Sequence, residues 1–275
     1  MFKKILVAAA GVALSLSCID ATAGAHASAR LSDLRIQLVA YGSAAPSVTF
    51  TVMDGSRAHT TTWSAAQGVA TDDQRSGGVA FAAVDCASPD SAALGSFARI
   101  VGDPFAGGAD ALAAAFARGG AAQAEGNASL GDGNSYATFT LSPDTLMVIS
   151  GVADLEAAAD GTSLQDFAVA SIDLELSGSH GDNAQASAAH SLALAGGLAG
   201  ASDTRHARLA ISFANPFDVA IDGRFFGGLD ATAVSTVPEP AAAWLELTGL
   251  AAVLAGLGRR AARRRANAAQ PARRA

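Results

Sequence analysis

Carboxylates and histidines are the side chains here best suited to chemistry, and several stand close together. Asp72 adjoins Asp73, and Asp154, Glu156 and Asp160 fall within one short segment. Two carboxylates can serve as general acid and general base when their surroundings separate their proton affinities. On an acidic chain the same groups also make an ordinary solvated face. Of the scattered histidines His59, His180, His190 and His206, the last two form a pair that a fold could bring together, with exposed loop positions as the alternative. Gly131-Asp132-Gly133-Asn134 resembles a fragment of a calcium loop. It lacks the alternating acidic ligands and closing glutamate of such a loop, so a hairpin turn is the better reading. Trp63 and Tyr41 are rings of the kind that stack on a sugar. The chain has only two Trp and two Tyr, however, and Trp244 lies in a C-terminal apolar run, so no aromatic platform is supported.

No familiar catalytic spacing accompanies these residues. There is no His-Glu-x-x-His, Gly-x-Ser-x-Gly, phosphate-binding glycine loop or Cys-x-x-Cys. The sequence therefore predicts no catalytic residues, no metal site and no cofactor.

The elements that would position such groups are strands. Leu34, Ile36 and Leu38 alternate with Arg35 and Gln37, and Val48, Phe50 and Val52 with Thr49 and Thr51. Leu209, Ile211 and Phe213 alternate with Ala210 and Ser212. Period-two patterning of this kind marks half-buried antiparallel strands. Further strands are predicted at 79–84, 97–101, 136–141, 145–151, 167–176, 188–194, 219–222 and 225–233. Turn signals separate them at Gly42-Ser43, Asp54-Gly55, Gly77-Gly78, Ser142-Pro143-Asp144, Asn215-Pro216 and Asp222-Gly223. Many short strands with closely spaced turns predict an all-β, antiparallel β-sandwich body. Residues 110–118, rich in alanine and free of glycine, read as the one short helix. Alanine is a poor strand former, so its abundance implies small, thinly packed sheet faces. No fixed-period repeat is visible.

The termini differ from the body. Lys3 and Lys4 precede an apolar stretch at 5–16, followed by small-residue cleavage sites at Ala21-Thr22-Ala23, Ala25-His26-Ala27 and Ala27-Ser28-Ala29, the pattern of a secretory signal peptide. Cys18 raises the alternative of a lipid-modified leader, but Ser15-Leu16-Ser17 lacks the leucine usual three residues before such a cysteine. Removal of the leader leaves Cys86 as the single cysteine, so no disulfide can form within the chain. It reads as a small buried residue rather than a nucleophile.

At the other end, Val237-Pro238-Glu239-Pro240 should be extended, because each proline fixes its own φ and disfavours helix in the residue before it. Residues 241–258 are mostly apolar and as a helix would reach roughly 27 Å, just short of the roughly 30 Å hydrocarbon core. Glu246 interrupts the run at a cost of about 2–3 kcal/mol on insertion scales if charged, which makes a weak anchor. Arg259, Arg260, Arg263, Arg264 and Arg265 then form a basic stop that should stay cytoplasmic, with the body on the far side of the membrane.

The order of Pro-Glu-Pro, apolar segment and arginine cluster from Val237 to Arg265 resembles the PEP-CTERM sorting signal of exported proteins in Gram-negative bacteria that make extracellular polysaccharide. The resemblance implies processing by exosortase, a membrane-embedded, cysteine-dependent transpeptidase. It also implies transient residence in the inner membrane, and a final place at the cell surface or in the extracellular matrix. Ala266 to Ala275 extend past the point where such signals usually stop. The chain thus divides into a leader at 1–29, a β-rich body at 30–234, an extended linker at 235–240, a transmembrane helix at 241–258 and a basic tail at 259–275.

Net charge changes when the ends are set aside. The whole chain carries −7, but residues 30–240 hold nine arginines, no lysine and 23 carboxylates, a net charge of −14. Such a field repels nucleic acid and anionic membrane surfaces. Three functions follow in order: a noncatalytic surface or matrix protein associated with exopolysaccharide or biofilm, a carbohydrate-binding module, and a hydrolase with an unrecognised site.

Overall fold

The computed structural model describes residues 24–65, 68–88, 94–118, 121–131, 136–159, 166–180, 184–196 and 202–236. Their secondary structure is all β, in antiparallel sheets without a helix. The strands are β1 (Gly24–Ala40), β2 (Val48–Thr51), β3 (Arg57–Ser64), β4 (Val69–Ser76), β5 (Val84–Ala87), β6 (Leu94–Asp103), β7 (Gly108–Arg118), β8 (Ala122–Leu130), β9 (Ala137–Leu141), β10 (Thr145–Ala159), β11 (Phe167–His180), β12 (Ala184–Gly196), β13 (Ser202–Asn215) and β14 (Ile221–Ser235). Residues 1–23 of the leader expected at 1–29, and the motif, the expected helix and the arginines from Val237 onward, lie outside the described residues. Among the described residues no helix is long and apolar enough to cross a membrane.

Two sheets form. Sheet A runs β13-β10-β1-β7-β6-β5, and sheet B runs β12-β11-β14-β8-β3-β4, with β9 pairing the start of β14 and β2 pairing β9. The sheets face each other, β1 and β7 lying against β14 and β6 and β7 against β8. Strict alternation on the inner positions builds one core between them.

That core has two ends of different grain. Around the start of β14 and the end of β1 it is made of large side chains: Phe50, Phe81, Phe139, Phe213 and Phe225 meet at ring distances of 5.2–6.2 Å, mostly edge to face. Glycines make room for these rings. A Cβ on Gly223 would lie 2.2 Å from the Phe139 ring, and one on Gly178 would lie 2.3 Å from Phe213. Toward the start of β1 and the end of β14 the core is nearly all alanine: Ala25, Ala27 and Ala29 from β1, Ala113, Ala115 and Ala117 from β7, Ala122 and Ala124 from β8, Ala231 and Ala233 from β14. There the sheets almost touch. A Cβ on Gly126 of β8 would fall 2.6 Å from the Phe97 carbonyl oxygen and 2.7 Å from that of Ala114, backbone atoms of the opposite sheet.

Several sequence expectations are revised. The alanine-rich 110–118 segment is strand β7, with Ala109, Ala111, Ala113, Ala115 and Ala117 buried and Asp110, Leu112, Ala114 and Phe116 facing outward. Helix propensity loses to pairing with β1 and β6 on both flanks and to the need for small side chains beneath Gly126. Val79 to Ala83 form a turn around Phe81, whose φ is 59°, and not a strand. Asp222-Gly223 is no turn but lies within β14, where Gly223 sits under the Phe139 ring. The first strand reaches back to Gly24, so residues 24–29 belong to the folded body. The Ser142-Pro143-Asp144 turn forms as expected, Asp144 taking a φ of 47°.

Gly126→Ala should therefore force the sheets apart, costing about 1–3 kcal/mol and lowering Tm by roughly 3–10 °C. Gly107→Ala, whose Cβ would meet nothing within 4 Å, is the control. Thermal melts of the two variants followed by circular dichroism check this.

Candidate functional site

Outward-facing residues of sheet A carry the most organised polar chemistry in the body. On β10 the period of two puts Asp154 and Glu156 on one face, and cross-strand register brings a histidine to each. His206, directly opposite Asp154 on β13, places Nδ1 2.5 Å from Asp154 Oδ1. His26, diagonal to Glu156 on β1, places Nε2 2.9 Å from Glu156 Oε1. Arg30, opposite Asp154 on β1, reaches across to Asp110 of β7 at 3.5 Å. All of these groups are about half exposed, so each pair contributes at most about 1 kcal/mol to stability. Their effect is to orient the imidazoles.

Beside the His26–Glu156 pair lies an open groove of about 360 Å³, lined among others by Ala114 and the half-buried Phe97 and Phe116. Ser28, Ser88 and Ser96 also border it. Apolar walls with a few fixed polar groups are the general character of a small-ligand site. The groove offers rings to stack on and an imidazole held by a carboxylate. Among the described residues Ser28 makes no hydrogen bond to His26, so no serine–histidine relay is formed there. Asp154 and Glu156 are each taken up by a histidine rather than facing one another.

The other candidates are placed apart. Asp72 and Asp73 are neighbours on β4 and point to opposite faces, Asp72 accepting from His59 at 2.8 Å and Asp73 lying 3.7 Å from Arg75, so they cannot share a substrate. Asp160 and the Asp132-Gly133-Asn134 segment lie outside the described residues. His190 lies on β12 of sheet B and His206 on β13 of sheet A; His180 ends β11. Trp63 and Tyr41 are each about half exposed, but Trp63 lies on β3 of sheet B and Tyr41 follows β1 of sheet A, at the opposite end of the core. No joint sugar platform results. Among the described residues no cluster of three or more His, Cys, Asp or Glu is placed to hold a metal.

Cys86 of β5 is buried, its Sγ 3.3 Å from Thr60 Oγ1 and donating to the Asp73 carbonyl at 3.2 Å. Burial pushes the thiol above its ordinary value, the Thr60 hydrogen bond opposes this, and Asp73 adds to the rise. A thiol so held is a poor nucleophile. It joins sheet A to sheet B.

His26 was hidden from sequence reasoning because its neighbours Ala25 and Ala27 fit a leader cleavage site. The signal that reveals it is the alternation of Ala25, Ala27, Ala29 and Leu31 with His26, Ser28 and Arg30, a strand pattern continuous with the one that follows.

No family model, curated protein or solved structure matches this chain.

On the outer face of sheet B, Asp230 of β14 accepts from Asn127 Nδ2 at 2.5 Å. Lost hydration raises its carboxyl above the ordinary value, the Asn127 bond opposes the rise, and the charges of Asp173 and Glu125 add to it. A carboxyl raised on folding contributes stability that is complete below its unfolded pKa and is lost as pH climbs through the folded value. Asp230→Asn should thus be more stable than the wild type at about pH 7, with the gap closing toward about pH 4. Paired melts across that range check the sign.

Proposed function

We propose that this chain is an exported, noncatalytic surface or matrix protein of a Gram-negative bacterium. Its β-sandwich body is carried through the inner membrane behind a cleaved leader, held there by a C-terminal helix, and sorted by exosortase through a PEP-CTERM signal. The observation that carries this reading is the order Val237-Pro238-Glu239-Pro240, apolar 241–258, Arg259-Arg260 and Arg263-Arg264-Arg265. Association with extracellular polysaccharide or biofilm follows from the signal alone.

The way the body ends supports it. Ser235, the last residue of β14, is fully buried, and the next residue is clamped: the Thr236 N–H and Oγ1 both donate to Asp166 Oδ1, at 2.7 and 3.0 Å. The chain divides after Thr236, with Val237–Ala275 as a separate unit. Pro-Glu-Pro begins two residues beyond the clamp. A protease acting on the motif would leave the last strand and this clamp within the body.

Mass spectrometry of protein recovered from the cell surface should give a C-terminus between residues 237 and 243. Replacing Pro238, Glu239 and Pro240 by alanines should leave the chain in the inner membrane at full length. A surface form that still ends at Ala275 would show a plain anchor and sink the sorting reading.

A second reading, a carbohydrate-binding module, is favoured by the groove, where Phe97 and Phe116 stand beside the His26–Glu156 pair. Oligosaccharides from the host's own exopolysaccharide, titrated calorimetrically, should then bind the wild type. Phe116→Ala should weaken binding by about tenfold, the worth of a stacked ring. Equal heats for both proteins would remove this reading.

A further inference from the structure

The leader offers three small-residue cleavage sites, ending at Ala23, Ala27 and Ala29. The fold distinguishes among them. β1 is an interior strand of sheet A, paired over its first residues on both sides: Ala25, Ala27 and Ala29 oppose Ala159, Ala157 and Leu155 of β10, and Ala117, Ala115 and Ala113 of β7. Their side chains are at most 3% exposed and belong to the closely packed alanine end of the core. We propose that the export peptidase cuts the Ala23–Gly24 bond and no later one. Water hydrolyses that amide, leaving a carboxylate on Ala23 and a free amine on Gly24, the first residue of β1.

The argument is one of hydrogen bonds. A cut after Ala29 removes Gly24 to Ala29 from between β7 and β10, which are not neighbours in the sheet. Residues 113–118 and 155–159 would face each other across a slot roughly 9 to 10 Å wide, two strand spacings, too far to pair with each other. Their backbone N–H and C=O groups would lose their partners in the middle of a sheet, where water reaches them poorly. The His26–Glu156 pair would go with them. A cut after Ala27 opens the first two-thirds of the same slot. A cut after Ala23 keeps the whole of Gly24–Ala40 in the sheet.

This inference rests on the export reading of the N-terminus, and sequencing the N-terminus of the full chain secreted by a Gram-negative host separates the two. Gly24 as the first residue is the expected result. Ser28 or Arg30 as the first residue of a folded, protease-resistant product overturns the assigned cut while leaving export intact; Met1 overturns export and the cut together. An independent measurement needs no secretion. Chains made to begin at Gly24 and at Arg30, each continuing to Ala275, should differ, the shorter losing its cooperative transition or melting about 10 °C or more lower. Coincident melts would show that residues 24–29 are dispensable and overturn the proposal.

Discussion

The distance between the two sheets governs this structure. Facing sheets ordinarily stand about 10 Å apart, the space that interdigitating leucine- and valine-sized side chains fill. At the end where β1 begins and β14 finishes, alanines line both inner faces and Gly126 lets β8 approach the backbone of β6 and β7 directly. At the opposite end, phenylalanines hold the sheets further apart and need Gly178, Gly223 and Gly131 as recesses for their rings. The interior is therefore a wedge. Each inward residue is specified by its place along it, and an exchange between the ends fails in both directions. A phenylalanine under Gly126 has no room, and an alanine at Phe139 leaves a void.

A thin core buries little apolar area per residue, so other contacts must help to fix how the sheets meet. Along the β5 edge these are polar. Ser96 Oγ donates to the Thr61 carbonyl of the facing sheet at 3.2 Å while sharing hydrogen bonds with Ser88, and Cys86 meets Thr60 and the Asp73 carbonyl close by. Directional bonds between sheets set the lateral register that smooth alanine faces leave weakly determined. The lone cysteine is best understood here. It is small enough for the narrow gap and donates one weak hydrogen bond across it.

Period-two alternation made most strands legible, because one face of each is buried and the other wet. It failed where composition argued for something else. Residues 110–118 have helical propensity throughout, and only the tertiary requirement for small inward side chains makes them a strand. Gly223 reads as a turn in isolation, since nothing local announces an aromatic ring lying above it. Residues 24–29 satisfy two patterns at once, a small-residue cleavage site and a strand of alternating alanines, and the partners with which they pair lie about ninety and a hundred and thirty residues away. Asp154 and Glu156 stood out, with Asp160, as carboxylates gathered in one short segment. The histidines of the first two did not, because cross-strand register is set by turns and bulges elsewhere, among them the irregularity in β1 near Asp33.

The same geometry explains how so acidic a body tolerates its charge. Inner positions are neutral almost throughout, so carboxylates are directed outward, where alternate rows of the sheets space them and water screens them. Where two or three gather, a neutral or cationic partner stands between: Asn127 at Asp230, His206 at Asp154, His26 at Glu156, Arg30 at Asp110. Asp166 is the exception, buried and turned toward Thr236. It spends its charge on the last backbone N–H of the body. A carboxylate is an effective acceptor there because the residue after the last rung of β14 still carries a part-buried donor to be satisfied.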